Sequence, residues 1–125
     1  MQIVADLHLH SKYSRAVSKQ MTIPLMAQAA KVKGIDLLAT GDFTHPLWIR
    51  ELDSQLKEVS TGVYQVKDHK DGAWYILGTE ISCIYTQGGK GRRIHVLVYA
   101  PSLDVVHKIN KAMQKQGCNL VSDGR

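Results

Sequence analysis

The sequence predicts an α/β fold built as one small domain. Three observations carry this. Short apolar runs of strand length alternate with longer segments of helical periodicity. Polar and ionisable residues crowd directly behind several of the strand runs. The chain has 125 residues, 44% of them hydrophobic and 22% charged, enough for one core. A complete (β/α)₈ barrel, at about 250 residues, is excluded. Apolar residues recur throughout and only three prolines and ten glycines occur, so low-complexity disorder is excluded too.

Ile3 to Leu7 reads as the first strand, followed by the polar run HLHSKYSRAVSK. Thr22 is a candidate helix cap with Pro24 in the first turn, where proline loses no hydrogen bond. Leu25, Met26, Ala29, Ala30 and Val32 follow at helical spacing, and Gly34 is the stop. Ile35 to Ala39 is a second strand, running into the loop TGDFTHP, and Leu47 to Val59 carries a helical pattern. Gly62 to Lys67 and Ala73 to Thr79 flank the turn-forming DHKDG and predict a hairpin whose second arm is also a core strand. TQGGKG reads as a loop before the strand RRIHVLVYAP. Ser102 or Asp104 opens the last helix, with Leu103, Val106, Ile109 and Met113 on one face and its end before Gly117. The order is β-α-β-α-β-β-β-α. The tail CNLVSDGR has room to begin a strand, which predicts a partial domain with an uncovered sheet edge, and self-association into a homo-oligomer follows as an expectation.

Composition narrows the function classes. No stretch approaches the roughly 20 apolar residues of a membrane helix, and the start MQIVADLHLH lacks a basic leader. Cys83 and Cys118 read as two reduced thiols, which points to the cytoplasm. Sixteen Lys and Arg against eleven Asp and Glu give a formal charge of +5, an excess compatible with a polyanionic partner.

The chemistry lies where strands end. His8 and His10 are two apart, so in extended chain both imidazoles point to one side. Asp42 and His45 follow the second strand, Glu80 the third, and His95 belongs to the fourth main strand. Helices joining parallel strands bring the first three strand ends to one rim. Imidazoles with a carboxylate suit Zn²⁺ or Mn²⁺, and a bridging carboxylate can hold two ions, an arrangement suited to phosphodiester hydrolysis. Lys12 and Arg15 are candidate phosphate contacts. His95 stands near the start of its apolar run, where a rim ligand is unexpected; either the strand begins earlier, around Arg92, or it is bent. GGKG lacks the rest of a P-loop and reads as a glycine turn, and Trp48 beside Pro46 reads as local packing. Ser11, Ser14 and Ser18 lack a nucleophile elbow.

DLHLHSKYS, TGDFTHP, GTEIS and RRIHVLVYAPS resemble the N-terminal part of the PHP (polymerase and histidinol phosphatase) metallophosphoesterase domain. Among its branches the sequence is most similar to the archaeal and Bacillus-type endonuclease Q group, through TGDFTHP and APS…VSDGR. The resemblance implies a distorted (βα)₇ barrel, represented here by roughly its first four β-α units with an added hairpin, and two or three divalent ions in the complete domain. It implies that His8 and His10 form the first metal motif, that Glu80 is the bridging carboxylate and that His95 is the following ligand. Asp42 or His45 matches the second motif. It further implies a DNA-repair endonuclease acting at deaminated bases or abasic sites, with Glu80, His45, Arg15 and Lys12 at the reacting centre. A later histidine, a late aspartate–histidine motif and the cysteine cluster of the endonuclease Q branch are not among the 125 residues, so the isolated chain is expected to be inactive. The alternatives are a small-molecule phosphatase of the same superfamily and a non-catalytic metal- or DNA-binding fragment.

Overall fold

Three parallel strands carry the functional rim. In the computed structural model, which describes residues 1–121, β1 (Ala5–Asp6) pairs with β2 (Leu37–Ala39), and β2 pairs with the first turns of β5 (Trp74–Gln87), all parallel. Between β1 and β2 runs α1 (Ile23–Val32), and after β2 comes α2 (Pro46–Gln55). A hairpin of β3 (Leu56–Ser60) and β4 (Val63–Val66) then extends the sheet antiparallel, giving the order β1-β2-β5-β4-β3. From Leu77 onward β5 pairs with antiparallel β6 (Lys90–Ala100), and α3 (Leu103–Lys115) closes the described chain. The result is the expected α/β class with an open, mixed sheet.

The core lies between the helices and the sheet. Trp48, Tyr75, Phe43, Ile23, Leu52, Leu77 and Val106 are fully buried. Tyr75 donates its hydroxyl to the Ile23 carbonyl at 2.7 Å, which satisfies a buried polar group. Burial raises the pKa of that phenol. The N-cap of α3 is Ser102, whose hydroxyl accepts from the Val105 N–H. Thr22 caps α1 by backbone alone, without a side-chain bond.

Several expectations are corrected. The first strand is two residues rather than five, because β1 is a sheet edge and Ile3, Val4 and Leu7 are exposed. The buried stripe of α1 is Ile23, Met26, Ala27 and Ala30, while Leu25 and Val32 face outward. The helix expected over Leu47 to Val59 stops at Gln55. Leu56 to Ser60 instead form β3, because Gly62 (φ 74°) permits a tight reversal into β4 and cross-strand pairing then overrides helical periodicity. TQGGKG is not a loop of six. Gln87 still pairs with Lys90, and only Gly88 and Gly89 turn, both with positive φ as a two-residue hairpin reversal requires. β6 is open to solvent along much of its length: Ile94, Val96, Leu97 and Tyr99 are all exposed. In the tail, residues 118–121 form no strand, and 122–125 lie outside the described residues. Trp48 does pack locally, its indole N–H donating to the Gly41 carbonyl at 2.9 Å.

Candidate metal centre

Each strand end delivers one part of the site, and a local constraint fixes each delivery. After β1, the Asp6 carboxylate accepts from the His8 backbone N–H at 3.2 Å, turning the chain so that the His8 and His10 rings lie 5.4 Å apart. After β2, the loop TGD folds against that segment through two consecutive left-handed residues, Gly41 (φ 63°) and Asp42 (φ 48°). Gly41 is required there. A Cβ at this position would stand 2.1 Å from the Leu9 carbonyl oxygen, so only glycine lets the two backbones approach. Thr40 ties the loop to β5 by accepting from the Gly78 N–H at 3.1 Å.

The close approach brings Asp42 behind His10. Asp42 Oδ1 is 3.1 Å from His10 Nδ1, and Oδ2 accepts from both the backbone N–H and the hydroxyl of Ser11, each at 2.6 Å. Burial pushes the Asp42 carboxyl up, but the hydrogen bonds from His10 and Ser11 outweigh it and hold the group below the usual carboxylate range. Asp42 therefore sits as an anion that orients the His10 ring, with His10 Nε2 turned toward Glu80 at 3.6 Å.

His8, His10 and Glu80 converge, with one donor atom from each lying within 4.8 Å of the others. Glu80 Oε2 is in contact with His8 Nε2, while its other oxygen, Oε1, is 2.6 Å from His95 Nδ1. One carboxylate thus faces two imidazoles on one side and a third on the other. The position of His95 follows from the hairpin: its strand begins at Lys90, before Arg92, and runs antiparallel to β5, pairing His95 with Ser82 one step diagonal to Glu80. Two imidazoles and a glutamate are a donor set that divalent zinc uses in catalytic centres, so the residues present fit a metal ion.

The remaining predicted residues are placed around this centre. His45 caps α2 by accepting the Leu47 N–H at Nδ1, 3.2 Å, and its ring stacks on Tyr13 with centroids 4.6 Å apart. It borders a narrow cleft shared with Asp42 and Glu80 but is not one of the three converging donors. Arg15 lines a cavity of about 170 Å³ together with His10, Glu80 and His95. Lys12 turns away to Glu51, its ammonium 2.9 Å from a carboxylate that also accepts the Tyr13 hydroxyl at 2.6 Å. The Glu51 hydrogen bond raises the pKa of both Lys12 and Tyr13. Ser11 and Arg93 escaped sequence reasoning. Arg93, two residues before His95 on the same face of β6, lines the same cavity, and period-two alternation in RRIH was the available signal.

Comparison with known proteins adds to the geometry. No protein-family model matches the chain. The crystal structure of the lesion-specific endonuclease PfuEndoQ from Pyrococcus furiosus superposes with a TM-score of 0.77 at 33% identity, over 98% of this chain. A structure of endonuclease Q in complex with a 27-mer duplex bearing an abasic lesion at the active site gives 0.77 at 36% identity, over 97%. The chain is structurally homologous to endonuclease Q. It spans only 28% of each endonuclease Q chain. An uncharacterized protein of Methanocaldococcus jannaschii is 30% identical over 120 residues, 96% of this chain and 12% of that protein. Among the described residues no helix is long and apolar enough to cross a membrane.

Proposed function

We propose that the chain is one partial domain of the PHP type, closest to the endonuclease Q group, and that it supplies the first metal-binding part of a DNA-repair phosphodiesterase acting at abasic sites or deaminated bases. The observation that carries this reading is the convergence of His8 and His10, which follow β1, on Glu80, which lies within β5 beyond its parallel pairing with β2 rather than after a strand end, in a chain similar to an endonuclease solved on a lesion-bearing duplex. When bound, a divalent ion such as Zn²⁺ or Mn²⁺ supplies charge neutralisation at the phosphoryl oxygens and activation of the attacking water.

The chain's own residues have separable tasks. His8 and His10 bind the ion with Glu80. Asp42 and Ser11 hold His10 in orientation. The two oxygens of Glu80 point at different imidazoles, so Glu80 and His95 would be the residues to hold a second ion beside the first, were one bound. His45 borders the reacting centre on the Tyr13 side. Arg15 contacts phosphate, and Lys12, through Glu51, holds Tyr13 against His45. Free, exposed Cys83 and Cys118 suit a reducing compartment, the cytoplasm. The exposed apolar residues of β6 favour self-association of this chain.

The test is metal stoichiometry of untagged protein after Zn²⁺ or Mn²⁺ addition. About one equivalent or more, lost in His8→Ala and in Glu80→Gln, is expected. Less than about 0.2 equivalent in the parent chain would overturn the metal reading. Nicking of an abasic-site duplex by the protein containing this domain, against turnover of a phosphomonoester, decides between the nuclease and a small-molecule phosphatase.

A further inference from the structure

A second surface with distinctive chemistry lies at the far end of β5 from the metal centre. Strand alternation buries Leu56, Tyr64, Val66 and Tyr75 in the core and turns their neighbours Lys57, Gln65, Lys67 and Trp74 outward. Lys57 pairs with Gln65, and the Tyr64–Tyr75 register sets Gln65 beside Trp74, so β3, β4 and β5 present one continuous row. This row floors a cavity of about 680 Å³, bordered also by Val59 and Lys70. Trp74 is 42% exposed there. An indole on the open face of a sheet, among lysines, contributes little to the core and leaves a large apolar ring in water.

The cations around the ring are held in place and carry excess charge. The Gln65 side-chain amide donates to the Lys70 carbonyl at 2.8 Å, and the Lys67 backbone N–H donates to the Gln55 carbonyl at 2.8 Å, which fixes the backbone on two sides of the cavity. Lys57, Lys67 and Lys70 form no ion pair among the described residues. Three lysines thus stand against one bordering carboxylate, Asp68. A flat aromatic face ringed by cations is complementary to a ligand that carries flat rings and regularly spaced negative charge. A nucleic-acid strand has both. In a duplex the base faces are covered by their neighbours in the stack, so a single indole reaches only an unpaired base.

We propose that this sheet face binds an unpaired nucleic-acid strand, with Trp74 stacking on a base and Lys57, Lys67 and Lys70 meeting the phosphates around it. The surface is separate from the metal centre: Trp74 and Glu80 are six residues apart on β5, about 20 Å along an extended strand. It extends the function from a reacting centre to a second hold on the strand, and it does not depend on a bound metal.

The experiment titrates an oligothymidylate of about ten nucleotides into the chain in the presence of chelator, reading indole fluorescence together with the anisotropy of the labelled oligonucleotide. The chain has two tryptophans and Trp48 is fully buried, so quenching on stacking reports Trp74. Trp74→Leu, which keeps an apolar side chain without a ring, should weaken binding about fivefold or more, and Trp74→Phe should recover part of the loss. Lys57→Ala and Lys67→Ala should each lower the slope of log affinity against log salt by about 0.7, and Lys115→Ala, in the last turn of α3, should leave it unchanged. A duplex of the same length should leave the indole unquenched. Affinity indifferent to Trp74→Leu, equal quenching by duplex and single strand, or full displacement of the oligonucleotide by polyglutamate of equal charge would each overturn the proposal. Metal stoichiometry is measured on the same preparations. Its failure would remove the metal reading and leave this surface standing, and loss of strand binding with metal still bound has the opposite meaning.

Discussion

Gly41 packs so closely on Leu9 that a single added methyl group would stand 2.1 Å from the Leu9 carbonyl oxygen. This contact joins the loop after β2 to the histidine segment after β1. It also sets the distance between Asp42 and His10. Gly41→Ala must therefore push the loops apart in addition to straining a residue at φ 63°. The expected cost is above about 3 kcal/mol, beyond the roughly 1–2 kcal/mol of left-handed strain alone. Gly34→Ala, at φ 74° with nothing within 4 Å, should show the strain alone. Urea unfolding of the two variants checks this, and equal destabilisation would mean that the close approach is not felt.

Asp42 touches no ion directly in the arrangement proposed, so its removal should weaken metal binding without abolishing it. Asp42→Asn keeps the volume but loses the anion that orients His10. Metal affinity should fall about 10–100-fold, the usual consequence of losing a carboxylate behind a ligating histidine. Competition with a chelator measures it, alongside a melt to confirm folding. A variant with parent affinity would show that His10 needs no orienting carboxylate.

Lys12 and Arg15 look equivalent in sequence and are not equivalent in space. Lys12 is engaged by Glu51, whereas Arg15 lines the cavity beside Glu80 and His95. Arg15→Ala should lower the slope of log affinity for DNA against log salt by about 1, and Lys12→Ala should change it much less. Fluorescence anisotropy across a salt series separates them; a larger effect from Lys12 would reverse the assignment.

The legible parts of this molecule are those in which local pattern and tertiary outcome agree. His8, His10 and Glu80 could be brought together from sequence because each follows a strand run, and helical crossovers place the ends of parallel strands on one side. β3 was hidden because Ile49, Leu52, Leu56 and Val59 fit helical spacing, and only pairing with β4 makes residues 56–60 extended. The place of His95 depends on strand direction. Read as parallel it falls at the wrong end, and the Gly88–Gly89 reversal moves it beside Glu80. Ser11 left no signal, since its partner Asp42 is distant in sequence and reached only through the Gly41 contact.

The reverse face of the β5–β6 hairpin leads to the last prediction. Opposite the metal face, Val96 pairs with Ile81 and Ile94 with Cys83, and Val96 and Ile94 are 43% and 48% exposed, with Tyr85 at 42% beyond them. Burying such side chains is worth about 1.5–3 kcal/mol each when complete, a large share of the roughly 5–15 kcal/mol that stabilises a domain. Antiparallel ladders with one apolar face bury it against another layer, and in solutions of this chain the available layer is a second copy. Sedimentation equilibrium over a concentration series should show a homodimer or larger species. Ile94→Lys should shift it toward monomer while leaving metal stoichiometry intact, because Ile94 points away from Glu80. A parent chain that stays monomeric at micromolar concentration with cooperative unfolding would show that this face is stable in water by itself.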